Sequence, residues 1–162
     1  MNTDCTALFD ESIKLELRIA DIYLEFYGSF LEDSAFWWSL ALEEKAHAAL
    51  IRSGKDFIGL DISFPCDIFP SVLKELVDAN SRLDLLAKKY KETSCSREEA
   101  FNVAFEIEIS AGEMHFQDFI DKKANSKLHS ILKDLNSGDQ DHAKRIRSYM
   151  EDHGIELWSG KA

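Results

Sequence analysis

Residues 40–51 read LALEEKAHAALI, and the phase of this stretch decides how the chain folds. Leu40, Glu44, His47 and Ile51 recur at steps of three and four, the spacing that keeps side chains on one face of a helix. Trp37 extends the same face upstream. An acid and an imidazole therefore stand inside an apolar stripe, a costly place for charge unless something of opposite sign sits between the helices. Glu43, one position earlier, is turned about 100° away and reads as solvated surface.

Working outward, the same interruption recurs in three more stripes. The first runs Phe9, Ile13, Glu16, Ala20, Tyr23, Tyr27, Phe30. A third runs Phe101, Phe105, Glu108, Gly112, His115, Phe119, and the last runs Leu128, Ile131, Leu135, Asp139, His142, Ile146, Tyr149. Glu106 and Glu113 fall off these faces. In Glu44/His47 and Asp139/His142 a carboxylate and an imidazole three residues apart share adjacent turns, so both reach one point between helices. Glu16 and Glu108 add a lone carboxylate from each remaining helix. Two divalent cations would neutralise these four carboxylates, as in the di-iron and di-manganese carboxylate bundles. One such pair is a weak signal on a Glu-rich helix; four in phase and in matched order are specific. Asp139, following Asn136-Ser137-Gly138, has a second reading as a loop residue or helix cap. Tyr23 and His115, each seven residues after a lone Glu, read as core residues with polar tips beside the site, with a redox or proton role as the second reading. His129 and His153 read as surface, and Trp37 and Trp38 as core and subunit contacts.

Caps and breakers set the predicted boundaries. The first helix is expected over about 6–31, with Asp4 or Thr6 as cap. Glu32-Asp33-Ser34 turns the chain back into a second helix over about 35–56, ending between Gly54 and Gly59. Residues 59–69, around Pro65, read as loop. Pro70 opens a further helix to about Glu92, with a break near Asn80-Ser81. Ser96, with Glu99 as its capping-box partner, starts the third stripe helix, which runs to about Lys123. The fourth runs from Ser126 to about His153, weak at Asn136-Ser137-Gly138. Two short links make two hairpins, and the long segment between them can cross the bundle. The predicted fold is all-α: a ferritin-like four-helix bundle with one long crossover connection containing the extra helix.

The 162 residues fit a single domain with a sizeable core. Two prolines and seven glycines leave room for long helices. A formal net charge of −11 argues against nucleic acid and anionic membrane surfaces as partners. No apolar run has the length of a membrane span, and Met1-Asn2-Thr3-Asp4 does not open a signal peptide. Three cysteines without pattern fit a reducing cytoplasm.

From about Ala7 to Met150 the chain resembles the rubrerythrin-like branch of the ferritin-like superfamily. The likeness is carried by Leu15-Glu16 through Tyr23, by residues 40–48, by Glu98 through Glu108, and in weaker form by Leu135 through Ala143. It implies metal ligation by Glu16, Glu44, His47, Glu108, Asp139 and His142, with Tyr23 nearby. It also implies Glu16 and Glu108 as terminal or shifting ligands, Glu44 and Asp139 as bridging ones, and a homodimer. Three departures stand out. Asp139 replaces the usual Glu and reaches about 1 Å less far. Ala111 stands where rubrerythrins proper often carry a further Glu. The rubredoxin-like iron domain is missing, since Cys5, Cys66 and Cys95 are isolated, so electrons would come from a separate donor protein.

Hard carboxylates with two imidazoles suit iron or manganese, and two ions about 3.5–4 Å apart can hold both oxygens of peroxide or dioxygen. The expected function is that of an oxidoreductase using two iron ions on peroxide or dioxygen, with manganese as the alternative metal. Two other readings stay open: an iron-binding or transfer protein without turnover, and a helical interaction module with a vestigial site.

Overall fold

A computed structural model describes residues 3–58, 70–114 and 141–158. All regular structure among them is helical: α1 (Thr3–Ser29), α2 (Ser34–Ile58), α3 (Pro70–Glu92), α4 (Arg97–Met114) and α5 (residues 141–152). None of these helices is long and apolar enough to cross a membrane. The expected loop at 59–69, the helix ends near Lys123 and Ser126, and the weak point at 136–138 lie outside the described residues.

Most boundaries shift by a few residues, for identifiable reasons. α1 starts at Thr3, so Asp4 and Thr6 lie inside the helix and do not cap it. It ends at Ser29, because Phe30 leaves the helical region (φ −123°, ψ 85°) and Leu31–Asp33 form a single 3-10 turn. α3 has no break at Asn80-Ser81. Asn80 is buried, and its amide donates to the Glu11 carbonyl at 2.9 Å and the Glu11 carboxylate at 2.7 Å, which outweighs a weak helix propensity. At the start of α4 the Glu99 N–H donates to Ser96 Oγ at 3.0 Å. The Glu99 carboxylate turns instead to Lys89 and Tyr90, so only half of the capping box forms. α5 closes on Gly154 (φ +64°), where the Ile155 N–H returns to the Met150 carbonyl at 2.9 Å. This is the left-handed cap that glycine allows at low cost.

Contacts fix the relative directions of the helices. Asp10 meets Lys55, His47 meets Glu16, and Trp37 meets Tyr23, so α2 runs antiparallel to α1. Glu11 meets Asn80, Arg18 meets Asp84, and Phe26 meets Tyr90, so α3 lies parallel along the flank of α1. Asp33 binds Arg97 and Trp37 packs on Phe101, placing α4 parallel to α2. His142 beside Glu44 and Tyr149 on Phe36 set α5 antiparallel to α2. The buried core shared by the five helices holds Phe9, Tyr23, Phe26, Trp37, Leu40, Tyr90, Phe101 and Ile146.

Among the described stripe residues, one faces outward. Tyr27 is 41 % exposed and Phe26 is buried, with its ring 5.1 Å from Trp37 and 5.2 Å from Tyr90 of α3. The packing of α3 on α1 rotates the buried face toward Phe26, a contact that periodicity in α1 cannot register. Trp37 is fully buried, as expected. Its neighbour Trp38 is half-exposed and packs on Tyr27.

Asp33, in the turn between α1 and α2, ties three helices together. It is 1 % exposed and accepts two bonds from the Arg97 guanidinium, both 2.7 Å, and one from Tyr149 Oη at 2.9 Å. Burial alone would raise its carboxyl pKa. The Arg97 and Tyr149 bonds outweigh that and hold it below the ordinary value.

Candidate metal centre

Four helices each deliver a charged or ionisable group to one buried place. Glu16 comes from α1, Glu44 and His47 from α2, Glu108 from α4 and His142 from α5. Glu16, Glu44, Glu108 and His142 are each at most 2 % exposed, and the His47 side chain is 15 % exposed at the rim. His47 Nδ1 lies 3.5 Å from Glu16 and 3.4 Å from Glu44. His142 Nδ1 lies 2.7 Å from Glu44 and 3.6 Å from Glu108. The two imidazole rings stack at 5.4 Å, inclined by 20°. Five of the six residues expected as ligands thus converge. Asp139 lies outside the described residues, as does His115.

The donor atoms form two groups that share Glu44: Glu16–Glu44–His47 and Glu44–Glu108–His142. Within each group the atoms lie within 4.8 Å of one another. A cation with bonds of about 2.0–2.2 Å sets its ligand atoms roughly 3 to 4.5 Å apart, so each group is close to that size. The most telling pair is Glu44 Oε1 and His142 Nδ1. They are buried 2.7 Å apart, yet among the described residues neither has a hydrogen-bond partner in acceptable geometry. A buried carboxylate oxygen and a ring nitrogen this close, without well-formed hydrogen-bond geometry, are groups that a shared cation would satisfy, and an unsatisfied buried polar atom is otherwise costly. The residues fit a metal.

Electrostatics agree with that fit. Burial, then the Glu108 carboxylate, pushes Glu44 up to about 8 against the pull of His142 and His47. Burial would lower both imidazoles, but the flanking carboxylates prevail: Glu16 and Glu44 raise His47 to about 10, and Glu108 and Glu44 raise His142 to about 11. Protons occupy the positions a cation would take. Ligation needs neutral imidazoles, so metal uptake near pH 7 is expected to release both histidine protons, and affinity is expected to climb with pH. All three folded values lie above the ordinary ones. Their contribution to metal-free stability is therefore complete below the ordinary values and is lost as pH rises through the folded ones. The metal-free chain should melt at lower temperature with each step from about pH 6.5 to 10, the window between the ordinary histidine value and that of His47. Calorimetry in buffers of differing ionisation enthalpy checks the proton release; uptake without release would contradict it.

Glu43 corrects the sequence reading. It is only half-exposed, and its Oε2 lies 2.9 Å from His142 Nε2, the ring nitrogen facing away from the cluster. Arg145 Nη1 donates to the same oxygen at 2.6 Å and Arg145 Nη2 donates to Ser39 at 3.0 Å. The side chain lies off the α2 stripe, as the phase implies, but α5 packs over that flank and meets it. With Nε2–H donated to Glu43, Nδ1 of His142 is left as the ligating nitrogen, and outer partners of this kind fix ring orientation and ligand basicity. Glu43→Ala is expected to weaken the ion on the His142 side about 10–100-fold without changing the number of ions at saturation. A metal titration of the variant decides it, and unchanged affinity would make Glu43 a bystander. No signal in the sequence marks Glu43, because its place depends on α5 packing over that flank of α2.

Tyr23 lies where the sequence places it, fully buried, with its hydroxyl donating to Glu108 Oε1. His153 is exposed at the end of α5, also as expected. Glu106 is exposed and takes no part in the cluster.

No protein-family model matches this chain, and no curated protein and no solved structure matches it.

Proposed function

We propose that the chain is a di-metal carboxylate protein of the rubrerythrin-like kind, an oxidoreductase acting on peroxide or dioxygen. In this reading α1, α2, α4 and α5 are the four helices of a ferritin-like bundle and α3 lies in its crossover. The observation that carries the proposal is the sharing of Glu44 by two donor groups, which would set two cations side by side and make Glu44 their bridge. Glu16 and His47 would complete one site, and Glu108 and His142 the other, with Asp139 three residues before His142 joining the second. Iron is the expected metal and manganese the alternative. Adjacent ions of this type supply electrons to an O–O bond whose two oxygens they hold together.

The chain's own residues prepare for that chemistry. Burial of the carboxylates keeps bulk water away from them. Tyr23 holds Glu108 in place and keeps a phenolic proton beside the reacting oxygens. The same reading calls for a separate electron-donor protein, a homodimer and a cytoplasmic setting.

The test has two stages. Protein purified without added metal is first assayed for iron and manganese. The reduced form is then mixed with peroxide in the presence of a chemical reductant, and consumption is followed over many turnovers. Sustained consumption supports the oxidoreductase. A single stoichiometric oxidation would make the chain a carrier, and failure to bind either metal would leave a helical interaction module.

A further inference from the structure

A cleft of about 170 Å³ opens where α1, α3 and α4 meet. Leu15 and Ile19 of α1, Leu83 and Leu86 of α3, and Val103 and Ile107 of α4 give it an apolar lining. It stands apart from the metal centre: Leu15 and Ile107 precede Glu16 and Glu108 in the chain and lie about 100° away round their helices. Its volume is close to that of an engineered apolar cavity, about 150 Å³, that takes up benzene. A gap between three helices is by itself only imperfect packing, but here two charges give it chemistry. Arg82 of α3 and Glu106 of α4 also line the cleft, both at exposed positions. α3 and α4 run in opposite directions, and Lys89 and Tyr90 of α3 both meet Glu99 of α4. Arg82 lies eight residues before Tyr90 and Glu106 seven after Glu99, so the two stand within about 1.5 Å of the same height on facing walls. Yet among the described residues neither is in an ion pair, with the other or with a third group, whereas the nearby Asp84 is held by Arg18.

We propose that this cleft binds a free α-amino acid with an apolar side chain, of the leucine, isoleucine or phenylalanine kind, its carboxylate on Arg82 and its ammonium on Glu106. The apolar side chain enters between the three helices and displaces water from their walls. The carboxylate meets the planar guanidinium fork, which matches its two oxygens. A fatty acid would satisfy Arg82 but bring a second negative charge beside Glu106, and an alkylamine would set like charges together beside Arg82. A zwitterion with one apolar branch pairs with both walls at once. A longer chain would overrun a space that holds about one benzene ring. Binding makes and breaks no covalent bond and does not depend on a metal in the centre.

The test is a calorimetric titration of the full chain near neutral pH with four probes. L-Leucine carries both charges and the apolar branch; isocaproate lacks the ammonium, isopentylamine lacks the carboxylate, and L-serine keeps the charged head without the branch. L-Leucine is expected to bind once per chain, the two singly charged analogues about fivefold more weakly, the upper value for an exposed ion pair, and L-serine not measurably. Arg82→Ala and Glu106→Ala are each expected to weaken L-leucine about fivefold. Both side chains are exposed, so folding is not at stake. The pairings are read from the crossed comparison: L-leucine should lose its advantage over isopentylamine in Arg82→Ala, and over isocaproate in Glu106→Ala. No binding of L-leucine up to its solubility overturns the proposal. So does L-serine binding as tightly as L-leucine, which would place the ligand on the charged surface or on a metal, and so does isocaproate matching L-leucine in the native chain, which would leave Glu106 without a part.

Discussion

Glu44→Ala is expected to remove both metal ions, whereas Glu16→Ala and Glu108→Ala are each expected to remove one. The asymmetry follows from geometry, since among the described residues Glu44 alone belongs to both donor groups. Its loss withdraws a ligand from each ion at once and also the negative charge that offsets their mutual repulsion. Each affinity should fall by more than the roughly 10–100-fold that outer partners are worth. Folding should survive, because the variant relieves a carboxylate that burial already disfavours. Metal counting after equilibration with excess iron or manganese, alongside a thermal melt, measures both. Retention of one ion in Glu44→Ala, with the same stoichiometry in Glu16→Ala, would mean that Glu44 does not bridge.

Asp33→Ala is expected to cost about 3 kcal/mol, near the lower end for breaking a buried ion pair, because Arg97 can turn toward solvent and keep Glu32. For a chain of this length that lowers Tm by roughly 6–12 °C. Glu32→Ala is the control: its carboxylate is 68 % exposed, and loss of its pairing with Arg97 should change stability by no more than about 1 kcal/mol. The Asp33 carboxyl sits below its ordinary range, so its contribution is complete above that range and is lost as pH falls through the lowered value. The native chain should therefore lose its advantage over the variant in acid. Equal melting temperatures for the two at neutral pH would show that the junction is not held by Asp33.

Much of the candidate site was legible because it depends on phase within single helices. Glu16, Glu44, His47, Glu108 and His142 interrupt apolar stripes at regular steps, and a residue placed on the inward face of a helix by its own neighbours stays there when the helices pack. What was not legible depends on which helix lies beside which. Glu43 is off the α2 stripe and becomes part of the site only because α5 covers that flank. Tyr27 lost its buried place to Phe26 because α3 sits against α1. Asn80 looked like a helix break until the Glu11 carbonyl of another helix met its amide. The Asp33–Arg97 pair joins a turn to the first residue of α4, a juxtaposition no local pattern encodes.

The antiparallel α1–α2 hairpin has a consequence for the order in which the centre comes into being. Glu16, Glu44 and His47 all lie on it, so one complete donor group exists as soon as the first two helices have paired. Glu108 and His142 follow much later in the chain. At ribosomal rates of about 5–20 residues per second, roughly 5–20 s separate the emergence of His47 from that of His142. During that interval a paired hairpin would carry one of the two donor groups without the other. A first cation captured then would neutralise the hairpin's inward charge before the second half arrives. The two ions would enter in sequence, and the availability of metal during synthesis would bear on how well the later helices close over the site.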